Sequence, residues 1–162
     1  MFSPPPLGSD AVHKFLVLPI VSTMLLVGCG DGSSTPAPVG NAVYADFTFQ
    51  DLSGRDLRDL TLTGSDFTRA NLVGTDLTGA GLSGTVFDHA DLTGAKLAQA
   101  DLTSASFRGA ILSGADLTGA RLRSAFFNEA NLTGANLKDS VLIGVKFQGA
   151  DLTNVDLTDL AF

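Results

Sequence analysis

From Phe47 to Phe162 every fifth residue is Leu or Phe, twenty-four in succession without a gap. The position two residues earlier carries only Ala, Ser or Thr from Ser65 to Ser140. Most remaining positions are Asp, Asn, Gly, Ser or Thr. A helix repeats its apolar face every 3.6 residues and a strand every second residue, so a period of five fits neither. The pattern predicts a stack of short extended units, each placing one large and one small side chain inside.

The large positions carry a second, slower period. Phe occupies positions 47, 67, 87, 107, 127 and 147, and every other central position before Phe162 is Leu. A spacing of twenty is four units, so a coil of four sides gathers these rings into one column on one wall. A coil of three sides scatters them. Stacked rings gain a little beyond their buried area, which favours the column. Twenty-four units then make six coils, spaced by roughly 4.8 Å in a rod about 24 to 29 Å long.

Each unit ends at a corner. The corner after the second wall reads Gly54, Gly74, Gly94, Gly114, Gly134, Asn154, which suits a type II turn with positive φ. The corner after the Phe wall reads Phe49, Arg69, His89, Gly109, Glu129, Gly149, which does not. The sequence therefore predicts tight type II turns at some corners and looser turns at others.

The unit itself reads Ala90-Asp91-Leu92-Thr93-Gly94, Ala115-Asp116-Leu117-Thr118-Gly119 and Ala130-Asn131-Leu132-Thr133-Gly134. This resembles the pentapeptide-repeat family, from about Ala45 to Phe162. The resemblance implies an all-β fold, a right-handed quadrilateral parallel β-helix, with the Leu or Phe and the small residue facing inward. Its motif is specific for fold and says little about function. Open ends of such an array need covering. The first coil is expected near Val43, with Tyr44 and Phe49 as candidates to cover it. Gln50 and Arg55 stand where small interior residues belong, so they are expected to point out of the open end or distort the coil.

Residues 1–44 follow other rules. Phe15 to Gly28 is apolar, preceded by His13 and Lys14. It is too short for a comfortable membrane span and suits the apolar region of a secretory signal. It ends Leu26-Val27-Gly28-Cys29, which resembles a bacterial lipoprotein signal in which Cys29 becomes the lipidated N-terminus. The lone cysteine of the chain has a role on this reading. Gly, Ser and Pro after Cys29 read as a flexible tether. The expected organisation is a signal peptide at 1–28, lipidated Cys29 with tether at 29–43, and the β-helix at 44–162. The expected location is the bacterial envelope, lipid-anchored outside the cytoplasmic membrane or in the outer membrane.

The net charge is −7, and residues 1–28 hold one acid and one base, so removing them leaves it unchanged. Such a chain is a poor candidate for binding nucleic acid or an anionic membrane through charge. On the third wall the position before the central Leu reads Asp56, Asp76, Lys96, Asp116, Asn136, Asp156. That column either solvates the wall or forms a ladder for divalent cations or a basic partner. Catalysis finds little support: His89 is the only histidine after the leader, and no nucleophile motif or phosphate-binding loop is present. Asp88 beside His89 reads as an exposed pair. No cofactor or metal is called for.

Two contact surfaces emerge. Outward positions near the fifth coil change from Asp, Asn, Ser and Thr to Arg121, Arg123, Phe126, Val141 and Ile143. The period of twenty stacks Val141 over Arg121 and Ile143 over Arg123. Arg beside exposed apolar groups is the composition of interface centres. At the C-terminal end, Val145, Val155 and Leu160 replace Ala, and Leu152, Leu157, Leu160 and Phe162 are expected to line an uncovered apolar end. That end is expected to pair two copies, as the resemblance implies, or to be plugged by its own larger side chains. The preferred reading is an envelope-anchored, non-enzymatic interaction rod. The alternative, drawn from family members that mimic duplex DNA and bind DNA gyrase, requires a cytoplasmic protein.

Overall fold

The computed structural model describes residues 42–158 and Leu160. Residues twenty apart pair as parallel bridges throughout, from Asp46 with Asp66 to Asn131 with Asp151. The fold is a right-handed, four-sided parallel β-helix with one coil per twenty residues, as the Phe period predicts. The described residues give five full coils, 45–64, 65–84, 85–104, 105–124 and 125–144, and most of a sixth. Wall one is centred on Phe47 and its equivalents, wall two on Leu52, wall three on Leu57 and wall four on Leu62.

One hydrogen-bond scheme repeats in every interior unit. Leu92 N–H donates forward to Ile111 O at 2.7 Å, and Asp91 N–H donates back to Ala70 O at 3.0 Å. Gly94 N–H reaches Ser113 O at 2.9 Å, and Ala95 N–H closes the corner onto Leu92 O at 3.0 Å. Extended backbone without long strands is thereby satisfied almost entirely by the neighbouring coils. Among the described residues no helix is long and apolar enough to cross a membrane.

The core is the column of central residues. From Leu52 to Leu142 none is more than 6 % exposed, and Ala fills most small positions beside them. The six rings stack with centroids 4.7, 5.1, 4.9, 4.7 and 5.5 Å apart and planes within 16°. Where a hydroxyl enters the core it needs an acceptor. Ser65, Thr75 and Thr85 donate to the carbonyls of Ala42, Leu52 and Leu62 at 2.7, 2.8 and 3.2 Å. Ser140 is also buried, at 5 % exposure, and its hydroxyl has no partner among the described residues.

The corners correct the sequence reading. They do not differ by wall: every described corner from Tyr44 to Asn154 has φ between 56° and 73°. Arg69, His89 and Glu129 adopt the left-handed conformation as Gly94 does. Each such residue costs roughly 1–2 kcal/mol. The cost is borne because every coil hydrogen-bonds to the next, so a corner must copy the one beneath it.

The ends correct it again. Tyr44 and Phe49 do not cover the first coil; they are 79 % and 69 % exposed. Both sit at corners, where side chains project sideways. Tyr44 lies along the coil edge at Gly64, and the Arg69 guanidinium sits 5.6 Å from the Phe49 ring. Gln50 and Arg55 are half-buried without distorting the coil, since Gln50 O accepts from Asn71 N–H at 2.8 Å and Arg55 O from Asp76 N–H at 2.9 Å. At the other end the register stops after Val155. Asp156 forms no bridge with Asn136, and Leu137 N–H lacks the ladder bond to Asp156 O.

Candidate functional site

The outer surface is built from one local device. The residue before each central Leu or Phe is usually Asp or Asn, and its side-chain oxygen accepts the N–H two residues on. Asp66 takes Thr68 N–H at 2.8 Å, Asp101 takes Thr103 N–H at 3.1 Å, and Asn131 takes Thr133 N–H at 2.9 Å. Such short polar side chains stabilise the turn that follows. On walls two and three this runs to the last described coil, through Asp116, Asn131, Asn136, Asp151 and Asp156, with Lys96 and Ile111 as the exceptions.

Walls four and one follow it only at Asp46, Asp66 and Asp101. From Ser106 to Lys146 their equivalent positions are Ser106, Arg121, Phe126, Val141 and Lys146, none of them Asp or Asn. The corners there keep their geometry, with Ser124 at φ 58°. The side chains of Arg121, Phe126, Val141 and Lys146 cannot accept the N–H two residues on, whereas beside Ser106 the acceptor comes from the coil beneath, where Asp88 takes Arg108 N–H at 3.0 Å.

The register assembles the predicted residues as expected. Arg121 bridges Val141, and Phe126 lies between Ser106 and Lys146 on wall one. Arg121, Arg123 and Ile143 are exposed, and Phe126 and Val141 are half-buried. Two residues that the sequence reading passed over join them. Arg108 lays its guanidinium 4.6 Å from the centroid of the Phe126 ring, a contact worth roughly 0.5–1 kcal/mol at an exposed site. Lys146 borders the same shallow depression, with Asn128 and Gln148. The signal for both was available: twenty-residue spacing brings Lys146 beside Phe126, and Arg108 belongs to the coil beneath.

Among the described residues, Arg121, Arg123 and Lys146 make no ion pair. Arg121 makes no ion pair with Asp101 on the coil beneath, whose Oδ1 accepts the Thr103 hydroxyl at 2.7 Å and its N–H at 3.1 Å. Arg108 is partly neutralised by Asp88 at 3.9 Å, and Asp88 also accepts the Ser106 hydroxyl at 2.5 Å and Arg108 N–H at 3.0 Å. Asp88 is thus tied into wall one, while the His89 ring turns along the corner over Gly109. The two do not form an acid–base pair.

The acidic third wall is already engaged by its own neighbours. Arg58 donates to both oxygens of Asp56, at 2.9 and 2.7 Å, and these bonds hold the Asp56 carboxyl down at about 2. Burial pushes Asp76 upward, yet hydrogen bonds from Thr78 and the Lys96 charge leave it below the usual carboxylate range. Lys96 Nζ lies 3.5 Å from Asp76. Among the described residues no group of three or more His, Cys, Asp or Glu side chains forms a metal-ligand set.

At the C-terminal end Val145, Leu152, Val155, Leu157 and Leu160 pack against the core and stay half-exposed. The departing segment leaves a groove between Asn136–Asp139 on one side and Asp156, Thr158 and Leu160 on the other. Phe162 and Cys29, with the signal and tether before residue 42, lie outside the described residues.

Among curated proteins none matches this chain. Of solved structures, it is similar to the pentapeptide-repeat protein Rfr23 from the cyanobacterium Cyanothece 51142, at 25% identity over 71% of this chain and 89% of that one, with a TM-score of 0.65. It is also similar to QnrB1, a plasmid-mediated fluoroquinolone resistance protein, at 19% identity over 76% and 77%, with a TM-score of 0.54; that likeness is one of fold. The family model described as pentapeptide repeats matches residues 43–79, 82–124 and 120–159. By sequence unit, coil geometry and family match alike, the chain belongs to the pentapeptide-repeat family.

Proposed function

We propose that this protein is a non-enzymatic interaction rod, anchored at the bacterial envelope through lipid on Cys29, that docks another macromolecule on walls four and one. The observation that supports it is the loss of turn-stabilising Asp and Asn from Ser106 to Lys146, in favour of unpaired cations and apolar groups. Arg123 and Ile143 stand exposed, and the half-buried Phe126 ring is engaged on the surface by the Arg108 guanidinium. Large, flat walls with rigid backbones present such groups at little entropic cost on binding. The C-terminal end, with Leu152, Leu157 and Leu160 half-exposed, serves as a second contact, between two copies.

The test is a pull-down from envelope extract with Arg123→Glu and Phe126→Asp, after circular dichroism confirms both fold. Loss of one partner in both variants supports the docking surface; retention of every partner refutes it. Globomycin-sensitive processing and palmitate labelling of Cys29 test the anchor. The second reading, an acidic DNA mimic that binds gyrase, has the QnrB1 fold likeness behind it. The cationic patch has the wrong sign for phosphate mimicry on that side of the rod.

A further inference from the structure

We propose that the surface on walls four and one receives an acidic protein segment, one that carries carboxylates interspersed with apolar side chains. This inference rests on the docking reading above and names the chemistry of the partner. Charge is segregated around the rod. Wall two carries Asp51, Asp91 and Asp151 and no cation in the described residues. Across coils four to six, walls four and one carry Arg108, Arg121, Arg123 and Lys146 against the single acid Glu129. On the coils beneath, Asp88 offsets part of this charge, 3.9 Å from Arg108, and Asp101 makes no ion pair with Arg121.

The cations stand next to apolar groups. Arg121 stands beside Val141, Arg123 shares a wall with Ile143, and Phe126 lies between the Arg108 guanidinium and Lys146. A partner must therefore offer negative charge and apolar contact within two or three coil spacings. An alternating acidic and apolar segment does so.

Extended polyanions fit less well. Below the patch, wall one carries Asp46, Asp66 and Asp88, and wall four carries Asp101. A nucleic acid or an anionic bilayer, longer than the patch, would lie across these carboxylates within a Debye length of about 8–10 Å. The net charge of −7 opposes its approach as well.

The probe is a fluorescein-labelled peptide of about four or five residues alternating Glu and Leu, roughly 14 to 17 Å when extended and so confined to the patch. Anisotropy is measured with the full chain in mild detergent at about 50 and about 300 mM NaCl. A thymidine oligonucleotide and vesicles of equal phosphatidylglycerol and phosphatidylcholine are compared. The expected result is peptide binding that weakens about tenfold in Arg121→Gln/Arg123→Gln and with salt. Arg69→Gln, at the opposite end of wall one, leaves it unchanged. Equal binding by wild type and the double variant overturns the proposal, as does oligonucleotide or vesicle binding as tight as that of the peptide. If the pull-down variants lose a partner while the Gln variants bind the peptide as wild type does, the docking surface stands and its acidic partner falls. An unchanged pull-down overturns both.

Discussion

Replacing Phe107 by Ala removes a ring from the middle of the stack. Phe107 is fully buried, with neighbouring centroids at 4.9 Å to Phe87 and 4.7 Å to Phe127. The space left cannot close, because the coils on either side are held at hydrogen-bond spacing: Phe87 N–H reaches Ser106 O at 2.7 Å and Phe107 N–H reaches Phe126 O at 2.7 Å. Loss of a buried Phe that leaves a rigid cavity costs about 3–5 kcal/mol. Phe147 is the control. It is half-exposed and has one ring neighbour among the described residues, Phe127 at 5.5 Å. Phe147→Ala should cost roughly half as much, since less apolar area and one stacking contact are lost. Guanidinium melts of the purified chain and both variants give the comparison through midpoint and slope. Equal, small losses at both sites would mean that the coils can collapse onto the gap, and the rigid-column reasoning would be wrong.

Thr75→Ala breaks a buried hydrogen bond to Leu52 O and should cost about 1 kcal/mol, whereas Ser140→Ala removes a hydroxyl without a partner and should be neutral or stabilising in the same melts. Gly94→Ala meets nothing within 4 Å and should show only the left-handed backbone cost, but a methyl on Gly109 would sit 2.6 Å from His89 Nδ1. Gly109→Ala should therefore lose more stability than Gly94→Ala, and His89→Ala in the same chain should recover the difference; no coupling in that cycle would refute the contact. The hydrogen bonds that hold Asp56 at about 2, with lowered values at Asp46, Asp51, Asp76, Asp151 and Asp156, make the folded state bind fewer protons than the unfolded chain in acid. Stability is then fully present above about pH 4 and falls as the pH drops toward about 2, and Asp56→Asn should flatten part of that decline in thermal melts.

The interior of this protein was legible because its register is written twice, in the Leu and Phe period and in the Phe column. Both follow from packing, which is strict where coils stack at a fixed spacing. The corners were misread for the same reason in reverse. Residue preference favours Gly at a left-handed corner, yet Arg69, His89 and Glu129 adopt it because the ladder outweighs local preference. Tyr44 and Phe49 were misassigned as covers because a corner side chain projects sideways, which hydrophobicity does not reveal. At the candidate site, Arg121, Arg123, Phe126, Val141 and Ile143 stood out as departures from a strict repeat. Arg108 and Lys146 did not, since one sits among variable positions and the other reads as a solvated charge. The Phe126 ring beneath its guanidinium ties in Arg108, and the bridge to Phe126 ties in Lys146.

Photocrosslinking in living cells tests the docking account most directly. A photoreactive amino acid replaces Ile143 on wall four in one strain and Thr153 on wall two in another, both exposed positions on the same C-terminal half of the rod. The account predicts a discrete crosslinked partner from position 143, rich in acidic and apolar residues at the crosslinked segment, and none from position 153. The same partner captured from position 153, or no capture from position 143 while position 153 gives one, would contradict it.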